Sequence, residues 1–173
     1  MSKGEPIPYE DALPIALEHM VGMGMLPYVE RIAIVGSIRR KSEFVKDIDY
    51  QVITTNTAQL KRYWFDRDFY IESAGDRRII LEDEHGTRIN LFISKSSYWG
   101  SMMMHNTGPK RYNIRKRALV KKQNMHLTQY GLWREQEDNP DDIDKPIILV
   151  ASKTEEDIYD ALGWEYCEPE NRI

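Results

Sequence analysis

The chain lacks the features that mark secreted, membrane and metal-cluster proteins. Cys167 is the single cysteine among 173 residues, which excludes an intramolecular disulfide and a cysteine-rich zinc site. The apolar runs are too short to cross a bilayer, and the opening segment MSKGEPIPYEDAL has no hydrophobic stretch of a secretory signal. These absences predict a protein of a reducing compartment, cytoplasmic or nuclear, with no membrane partner.

Internal repeats and low-complexity tracts are also absent. Hydrophobic residues make up 41% of the chain and charged residues 30%, which is typical of a globular protein rather than a disordered one. The length allows one ordinary domain or two small lobes with a buried core.

The formal net charge is −4, which by itself argues against a nucleic-acid binder because phosphate binding needs cations. The charges are segregated, however. Residues 110–122 carry seven cations and no acid, whereas residues 135–144 carry six acids and no cation. The basic run favours contact with a phosphate backbone, and the acidic run is expected to be a solvated loop.

Hydrophobic periodicity predicts an α+β fold in two parts, residues 1–95 and 96–173. The first part is expected to contain helices at 12–25 and 57–65 and strands at 31–35, 47–54, 77–82 and 87–93, the last two joined as a hairpin. The second part, a small α/β lobe, is expected to contain a helix at 109–123, strands at 126–133 and 145–152, and a helix capped by Ser152 or Thr154.

Asp47 and Asp49 are the first candidates for chemistry. Alternate residues of a strand point to the same face, with backbones about 7 Å apart, so the two carboxylates can converge. Carboxylates side by side repel each other unless a cation lies between them, and Mg²⁺ is a hard cation that prefers oxygen ligands. Two exposed aspartates on a strand remain the alternative for this short motif.

The segment before these aspartates supports the interpretation that they bind a metal ion. Gly36 and Ser37 follow a strand, where glycine lets backbone amides approach a ligand and serine adds a hydroxyl donor. Arg39 and Arg40 come next, and an arginine there can hold a phosphate with two hydrogen bonds. The set fits a nucleoside triphosphate with Mg²⁺. The alternative is a plain turn followed by solvated arginines.

Several segments together resemble the family X DNA polymerases, members of the nucleotidyltransferase superfamily. The resemblance is carried, in order along the chain, by GSIRR at 36–40, DID at 47–49, TGPKRYNIRKRA at 107–118, QYGLW at 129–133 and TEEDIYDALGWEY at 154–166. It covers the chain beyond about the first thirty residues. The short length and the short loop with Pro109 match the minimal form that a virus encodes.

This resemblance implies a nucleotidyltransferase-type palm, a mixed sheet with helices, over 1–95 and a DNA- and nucleotide-binding lobe over 96–173. Gly36 and Ser37 would cradle the triphosphate and Arg40 would contact it, while Asp47 and Asp49 would bind two Mg²⁺ ions, for which Mn²⁺ can substitute. The turn at Thr107 and Gly108 would lie beside the sugar and base of the incoming nucleotide. Arg117 would touch the template. The basic run supplies the remaining candidates for DNA contact, which are Lys110, Arg111, Arg115, Lys121 and Lys122.

Asn90 departs from the family pattern. The family places a third metal-binding, catalytic aspartate in a strand of the form x-D-L-F, and this chain reads RINLF at 88–92. An amide has no charge and cannot act as a base near neutral pH. Either the aspartate has been replaced deliberately, to hold substrates without turnover, or the natural protein is impaired or uses another base. We favour the first explanation, because the other site residues are retained.

His105 is a second departure, since many members place two aromatic residues before Thr-Gly and this chain has His105 and Asn106. His105 can stack on the base or donate to a phosphate, and a polar turn histidine is the equal alternative.

The predicted function is DNA-directed, metal-dependent transfer of a nucleotide from a dNTP to a primer 3′-hydroxyl, in gap-filling repair. The expected partners are gapped or primed duplex DNA and dNTP, and the protein is expected to be a monomer. A catalytically silent binding homologue and a nucleotidyltransferase with a non-DNA acceptor remain alternatives.

Overall fold

The computed structural model describes residues 5–135 and 147–173. The chain divides into two compact units, Met1–Lys95 and Ser96–Ile173. In the described ranges, no helix has the length and apolar character needed to span a membrane. Apart from Glu135, the acidic run predicted to be a solvated loop lies outside the described residues.

The first unit contains a five-stranded mixed sheet. Its elements are β1 (Ile7–Pro8), α1 (Tyr9–Gly24), β2 (Val29–Ile34), α2 (Gly36–Arg39), β3 (Phe44–Val45), β4 (Asp47–Thr54), α3 (Thr57–Phe65), β5 (Tyr70–Ala74), β6 (Arg78–Glu82) and β7 (Arg88–Ile93). The order in the sheet is β2-β4-β7-β6-β5, with β4 and β7 parallel and the other neighbours antiparallel. This mixture of helices and a mixed sheet confirms the predicted α+β class.

Strand β4 shows why the sheet has one buried face and one face available for chemistry. Ile48, Tyr50 and Val52 are fully buried in the core. Asp47 and Asp49 alternate with these buried residues. They therefore point to the opposite face, because side chains alternate along a strand. The phenolic hydroxyl of Tyr50 donates to the carbonyl oxygen of Ala16 over 2.9 Å, which ties α1 to the sheet.

An aromatic cluster closes the core between α1 and α3. The rings of Trp64 and Phe69 pack edge-to-face, and His19 packs edge-to-face against both. Burial lowers the pKa of His19 below its ordinary value, so the imidazole is held neutral in this apolar setting. The helix predicted at 57–65 is confirmed with those bounds, and the side chain of Asn56 caps it by accepting from the backbone N–H of Gln59.

The second unit packs helices against a three-stranded antiparallel sheet. Its elements after a short 3₁₀ turn are α4 (Trp99–Thr107), α5 (Lys110–Lys121), β8 (Met125–Thr128), β9 (Gly131–Glu135), β10 (Ile147–Ala151) and α6 (Glu155–Ala161). The sheet order is β10-β9-β8. Thr154, rather than Ser152, caps α6 and forms a capping box with Asp157.

The single strand predicted over 126–133 is wrong, because the segment is a hairpin of β8 and β9. The hydroxyl of Thr128 accepts from the backbone N–H of Tyr130, and Gly131 adopts a φ of +157° that other residues rarely take. Hydrophobic and polar residues continue to alternate through the turn, so the sequence pattern does not reveal it. Helix α4 was also not predicted, although its Met102 and Met104 are buried in the core.

A buried ion pair joins α6 to the C-terminal segment of the second unit. Arg172 is 2% exposed and Glu155 is 4% exposed, and Nη1 of Arg172 donates to Oε1 of Glu155 over 2.6 Å. The hydroxyl of Tyr166 donates to the other carboxylate oxygen over 3.1 Å. Removing one partner of such a pair leaves an uncompensated buried charge.

We expect Glu155→Ala to lower the free energy of unfolding by about 3–5 kcal/mol, because Arg172 loses its counter-charge in the core. The matched control is Glu156→Ala, which removes the same charge from an exposed position of the same helical turn and should cost less than about 0.5 kcal/mol. Urea unfolding followed by tryptophan fluorescence measures both. Equal losses for the two variants would contradict this role of the pair.

Candidate active site

The three residues predicted to bind metal lie on one face of the first unit's sheet. Asp47 and Asp49 share a face of β4, and the parallel register places Asp49 directly beside Asn90 of β7. Neighbouring strands lie about 4.8 Å apart, so side chains of paired residues on the same face touch. The fold thus brings together Asp47, Asp49 and Asn90.

A chain of hydrogen bonds runs through this cluster. Nδ2 of Asn90 donates to Oδ1 of Asp49 over 2.7 Å. Nη2 of Arg78 donates to Oδ1 of Asn90, also over 2.7 Å. Asn90 is 2% exposed, so its amide is enclosed by these partners. Arg78 was missed by the sequence reasoning, although the predicted hairpin would have placed a residue of 77–82 beside Asn90.

Gly36 lies against the carboxylate of Asp49. It adopts a φ of +65°, and a Cβ atom at this position would overlap the Asp49 side chain. The backbone N–H of Val35 donates to the carbonyl oxygen of Asp49 over 2.8 Å, which fixes the approach of α2 to β4. Position 36 therefore requires glycine for two reasons, its positive φ and the lack of space for a Cβ atom beside Asp49. Ser37 follows Gly36 in α2, and Arg40 ends that helix.

Burial raises the pKa of Asp49 to about 6. The hydrogen bond from Asn90 acts in the opposite direction, and the nearby charge of Asp47 raises the pKa further. Arg78 and Arg40 lower it by their positive charge. The negative charges of Asp47 and Asp49 therefore repel each other, and a positive charge between the two carboxylates would relieve this repulsion.

The donor set fits a divalent cation. Asp47 and Asp49 supply hard oxygen ligands on one strand face, and their mutual repulsion is relieved by a cation between them. No cluster of three or more His, Cys, Asp or Glu side chains able to hold a metal occurs in residues 5–135 and 147–173. Asp47 and Asp49 are the carboxylates of β4 on this face, and Asn90 of β7 supplies an amide where the sequence resemblance implies a third carboxylate.

We expect the Asp49 carboxyl to titrate near pH 6 in metal-free buffer, followed by ¹³C NMR of labelled aspartate. Its pKa is above the unfolded value, so ionisation disfavours the folded state, and stability should fall by on the order of 3 kcal/mol as pH rises from about 4 to above 6. Mg²⁺ should lower the midpoint. Asp49→Asn should remove this pH dependence, and a wild-type midpoint near 4 would contradict the burial argument.

His105 and Arg117 meet in the second unit. Nη2 of Arg117 lies 2.8 Å from Nδ1 of His105, and because a guanidinium only donates, this ring nitrogen is the acceptor. Burial, and then the charge of Arg117, lowers the pKa of His105, so the imidazole is neutral. Nδ2 of Asn113 donates to the backbone carbonyl of His105 over 2.7 Å. These three residues line a pocket together with Ser101, Met104, Leu127 and Thr128.

Thr107 and Gly108 form the link between α4 and α5. Thr107 is fully buried, and Gly108 is buried with a φ of +63°. The backbone N–H of Gly108 bonds back to the carbonyl oxygen of Met104, which ends α4. The side chain of Thr107 is therefore part of the packing of this unit.

Helix α5 presents its cations in two different ways. The six residues predicted to bind DNA are all exposed: Lys110, Arg111, Arg115, Arg117, Lys121 and Lys122. Lys116, the seventh cation of the run, instead packs its ammonium 4.1 Å from the centre of the Trp164 ring and 5.3 Å from that of Tyr159. Tyr112 and Val120 are buried, so the helix has an apolar side and a cationic side.

Comparisons with known proteins agree with this arrangement. Residues 102–173 match the family model described as DNA polymerase beta thumb. The chain is 30% identical over 152 residues to the repair DNA polymerase X of African swine fever virus (isolate Warthog/Namibia/Wart80/1980), covering 83% of this chain and 82% of the viral protein.

Cellular relatives share a part of their length with this chain. The DNA polymerase/3′-5′ exonuclease PolX of Bacillus subtilis is 26% identical over 132 residues, which are 74% of this chain and 23% of that protein. DNA polymerase IV of Saccharomyces cerevisiae is 34% identical over 85 residues, which are 49% of this chain and 13% of the yeast protein. The viral similarity covers most of both chains, and with the thumb match it places the protein among the family X DNA polymerases.

Proposed function

We propose that the first unit is the nucleotidyltransferase palm of a minimal, gap-filling polymerase and that the sheet face bearing Asp47 and Asp49 is its catalytic centre. The single observation that carries this proposal is the packing of Gly36 against the Asp49 carboxylate. This contact supports the proposal because the start of α2, where Gly36 and Ser37 could donate to phosphate, lies directly beside Asp49, an oxygen ligand suited to a metal ion. The proposed substrates are a dNTP and gapped or primed duplex DNA, and the protein acts as a monomer.

In this site, Asp47 and Asp49 would hold two Mg²⁺ ions, or Mn²⁺ in their place. Such ions would supply Lewis acidity to the attacking hydroxyl and positive charge to the leaving pyrophosphate. The backbone amides after Val35 and the hydroxyl of Ser37 donate to phosphate oxygens, and Arg40 adds positive charge on the same side. These groups orient the triphosphate for attack on its α-phosphorus by the primer 3′-hydroxyl.

Asn90 sets the limit of this chemistry. Its amide nitrogen holds Asp49, but an amide cannot accept the proton of the primer hydroxyl. An aspartate in the same place would add a charge and a proton acceptor next to Asp49. The proposed role of Asn90 is therefore to complete the shape of the site while leaving the base of the reaction missing.

In the second unit, the exposed cations of α5 would bind the phosphate backbone of the duplex. Such contacts position DNA without reading its sequence. His105 and Arg117 hold each other beside the pocket, so a neutral imidazole face and a guanidinium are available to the incoming nucleotide and the template. Thr107 and Gly108 shape the turn that precedes α5. The match to a polymerase thumb over 102–173 disfavours an acceptor other than DNA.

The decisive variant is Asn90→Asp. We expect it to raise single-turnover dNTP incorporation on a one-nucleotide gapped duplex by two or more orders of magnitude, because a carboxylate supplies the missing charge and proton acceptor. Asn90→Leu, of similar size and without polar atoms, serves as the control and should stay at or below the rate of the starting protein.

Equal rates for the starting protein and Asn90→Asp would show that position 90 has no catalytic part. If dNTP and Mg²⁺ bind to both proteins but neither extends a primer, the chain is the catalytically silent binding homologue instead.

The cationic side of α5 gives a second test. Arg115→Gln should weaken binding to gapped duplex several-fold and reduce the slope of log K against log salt by about 1, because one phosphate contact is lost. Arg134→Gln removes an equally exposed cation from β9 and should leave the slope unchanged. Fluorescence anisotropy at several salt concentrations measures both variants. Identical slopes for the two would place the duplex on another surface.

A further inference from the structure

Arg78, Asn90 and Asp49 form a hydrogen-bonded row on the face that carries the proposed metal site. Both bonds are short, 2.7 Å each, and the middle residue is buried. Arg78 comes from β6, two strands away from Asp49, because β7 lies between β6 and β4. Three adjacent strands therefore contribute one residue each.

The chemistry of the two ends dictates which way the amide of Asn90 faces. A guanidinium carries hydrogen-bond donors and no acceptor, so it must meet the amide oxygen. An ionised carboxylate carries acceptors and no donor, so it must meet the amide nitrogen. The amide satisfies both neighbours in one orientation and neither of them after a 180° flip.

One consequence concerns the metal. With the amide in this orientation, its NH₂ group takes the place beside Asp49 that a cation would otherwise take, and its oxygen is turned toward Arg78. Nitrogen protons cannot coordinate Mg²⁺, and the amide oxygen, although it keeps a second lone pair, lies on the side of Arg78 and away from Asp49. To ligate a cation beside Asp49, the amide of Asn90 would have to turn over and give up both hydrogen bonds.

An aspartate at position 90 would behave in the opposite way. One of its oxygens could still accept from Arg78, but the other would face Oδ1 of Asp49 at the distance now spanned by a hydrogen bond. Two carboxylate oxygens that close repel each other unless a cation or a proton lies between them. An aspartate therefore needs the metal, whereas Asn90 satisfies the site without it.

We propose that Arg78 is a positioning residue that locks the Asn90 amide with its nitrogen toward Asp49, so that the site is satisfied in the metal-free protein and binds a divalent cation weakly. The inference rests on the proposed metal site. The lock acts on the orientation of Asn90, and Arg78 itself touches no substrate atom. The guanidinium carbon of Arg78 also lies 5.2 Å from the centre of the Phe92 ring.

Arg78→Met tests the lock, since methionine keeps a long unbranched side chain but has no hydrogen-bond donor. We expect the separated side-chain NH₂ resonances of Asn90, assigned by their loss in Asn90→Leu, to collapse toward the average shift of exposed amides. We also expect the dissociation constant for Mn²⁺, measured by electron paramagnetic resonance on the free protein, to fall about tenfold. Arg78→Lys, which keeps a charge and a donor, should restore most of the original behaviour.

Loss of a positive charge would by itself favour a cation, and two controls separate that effect. Arg77→Gln removes the adjacent charge and should change the Mn²⁺ constant less than about twofold. In the Asn90→Leu background there is no amide to release, so Arg78→Met should act there only through the loss of its charge and change the Mn²⁺ constant several-fold less than in the Asn90 protein. An equal tenfold effect in both backgrounds, or unchanged Asn90 resonances in Arg78→Met, would overturn the proposal.

The failure of the proposed function gives a different result. If neither the starting protein nor any variant binds Mn²⁺, the metal site itself is wrong. The amide resonances still decide the role of Arg78 in that case: a collapse in Arg78→Met supports the lock, and unchanged resonances refute it.

Discussion

The repulsion between two aspartates on one strand face is the constraint on which the site depends. Strand β4 must bury Ile48, Tyr50 and Val52, and the alternation of side chains then forces Asp47 and Asp49 together on the opposite face. The positive charges of Arg40 and Arg78 and the hydrogen bond donated by Asn90 oppose this repulsion, since each of them lowers the pKa of Asp49. The same electrostatic demand makes the face suitable for a divalent cation and for the triphosphate that accompanies it.

The sequence was sufficient for the elements whose signal is local. Strand 47–54 and helix 57–65 have the predicted bounds, and the paired strands at 78–82 and 88–93 differ by one residue at their starts. The sequence thus predicted both strands that carry Asp49 and Asn90. It did not predict the register that pairs these two residues. The sequence also indicated that Gly36 lets the backbone approach a ligand, but it did not predict the contact of Gly36 with the Asp49 carboxylate.

Features that depend on pairing between distant segments were not predicted. Strand β5 is mostly exposed and carries little periodic signal, and the two-residue strands β1 and β3 exist through their contact with each other. The hairpin of β8 and β9 was taken for one strand because its hydrophobic pattern continues through a turn set by Thr128 and Gly131. Arg78 was missed for a related reason, since its importance comes from a cross-strand neighbour rather than from any motif.

The chain belongs to the family X DNA polymerases, and the reaction of that family is nucleotide transfer to DNA. Asn90 distinguishes this chain from the family pattern, which has an aspartate at this position. In the proposed site, two carboxylates and an amide would receive the metal and the nucleotide, without the proton acceptor that an aspartate at position 90 would supply. The central claim is that a metal ion lies between Asp47 and Asp49, next to Gly36. Anomalous diffraction from crystals grown with Mn²⁺ and a non-hydrolysable dNTP analogue tests it most directly. The account predicts a manganese peak within coordination distance of both aspartates, with the triphosphate against Gly36 and Ser37. A peak bound to neither aspartate, or a triphosphate held elsewhere, would contradict it.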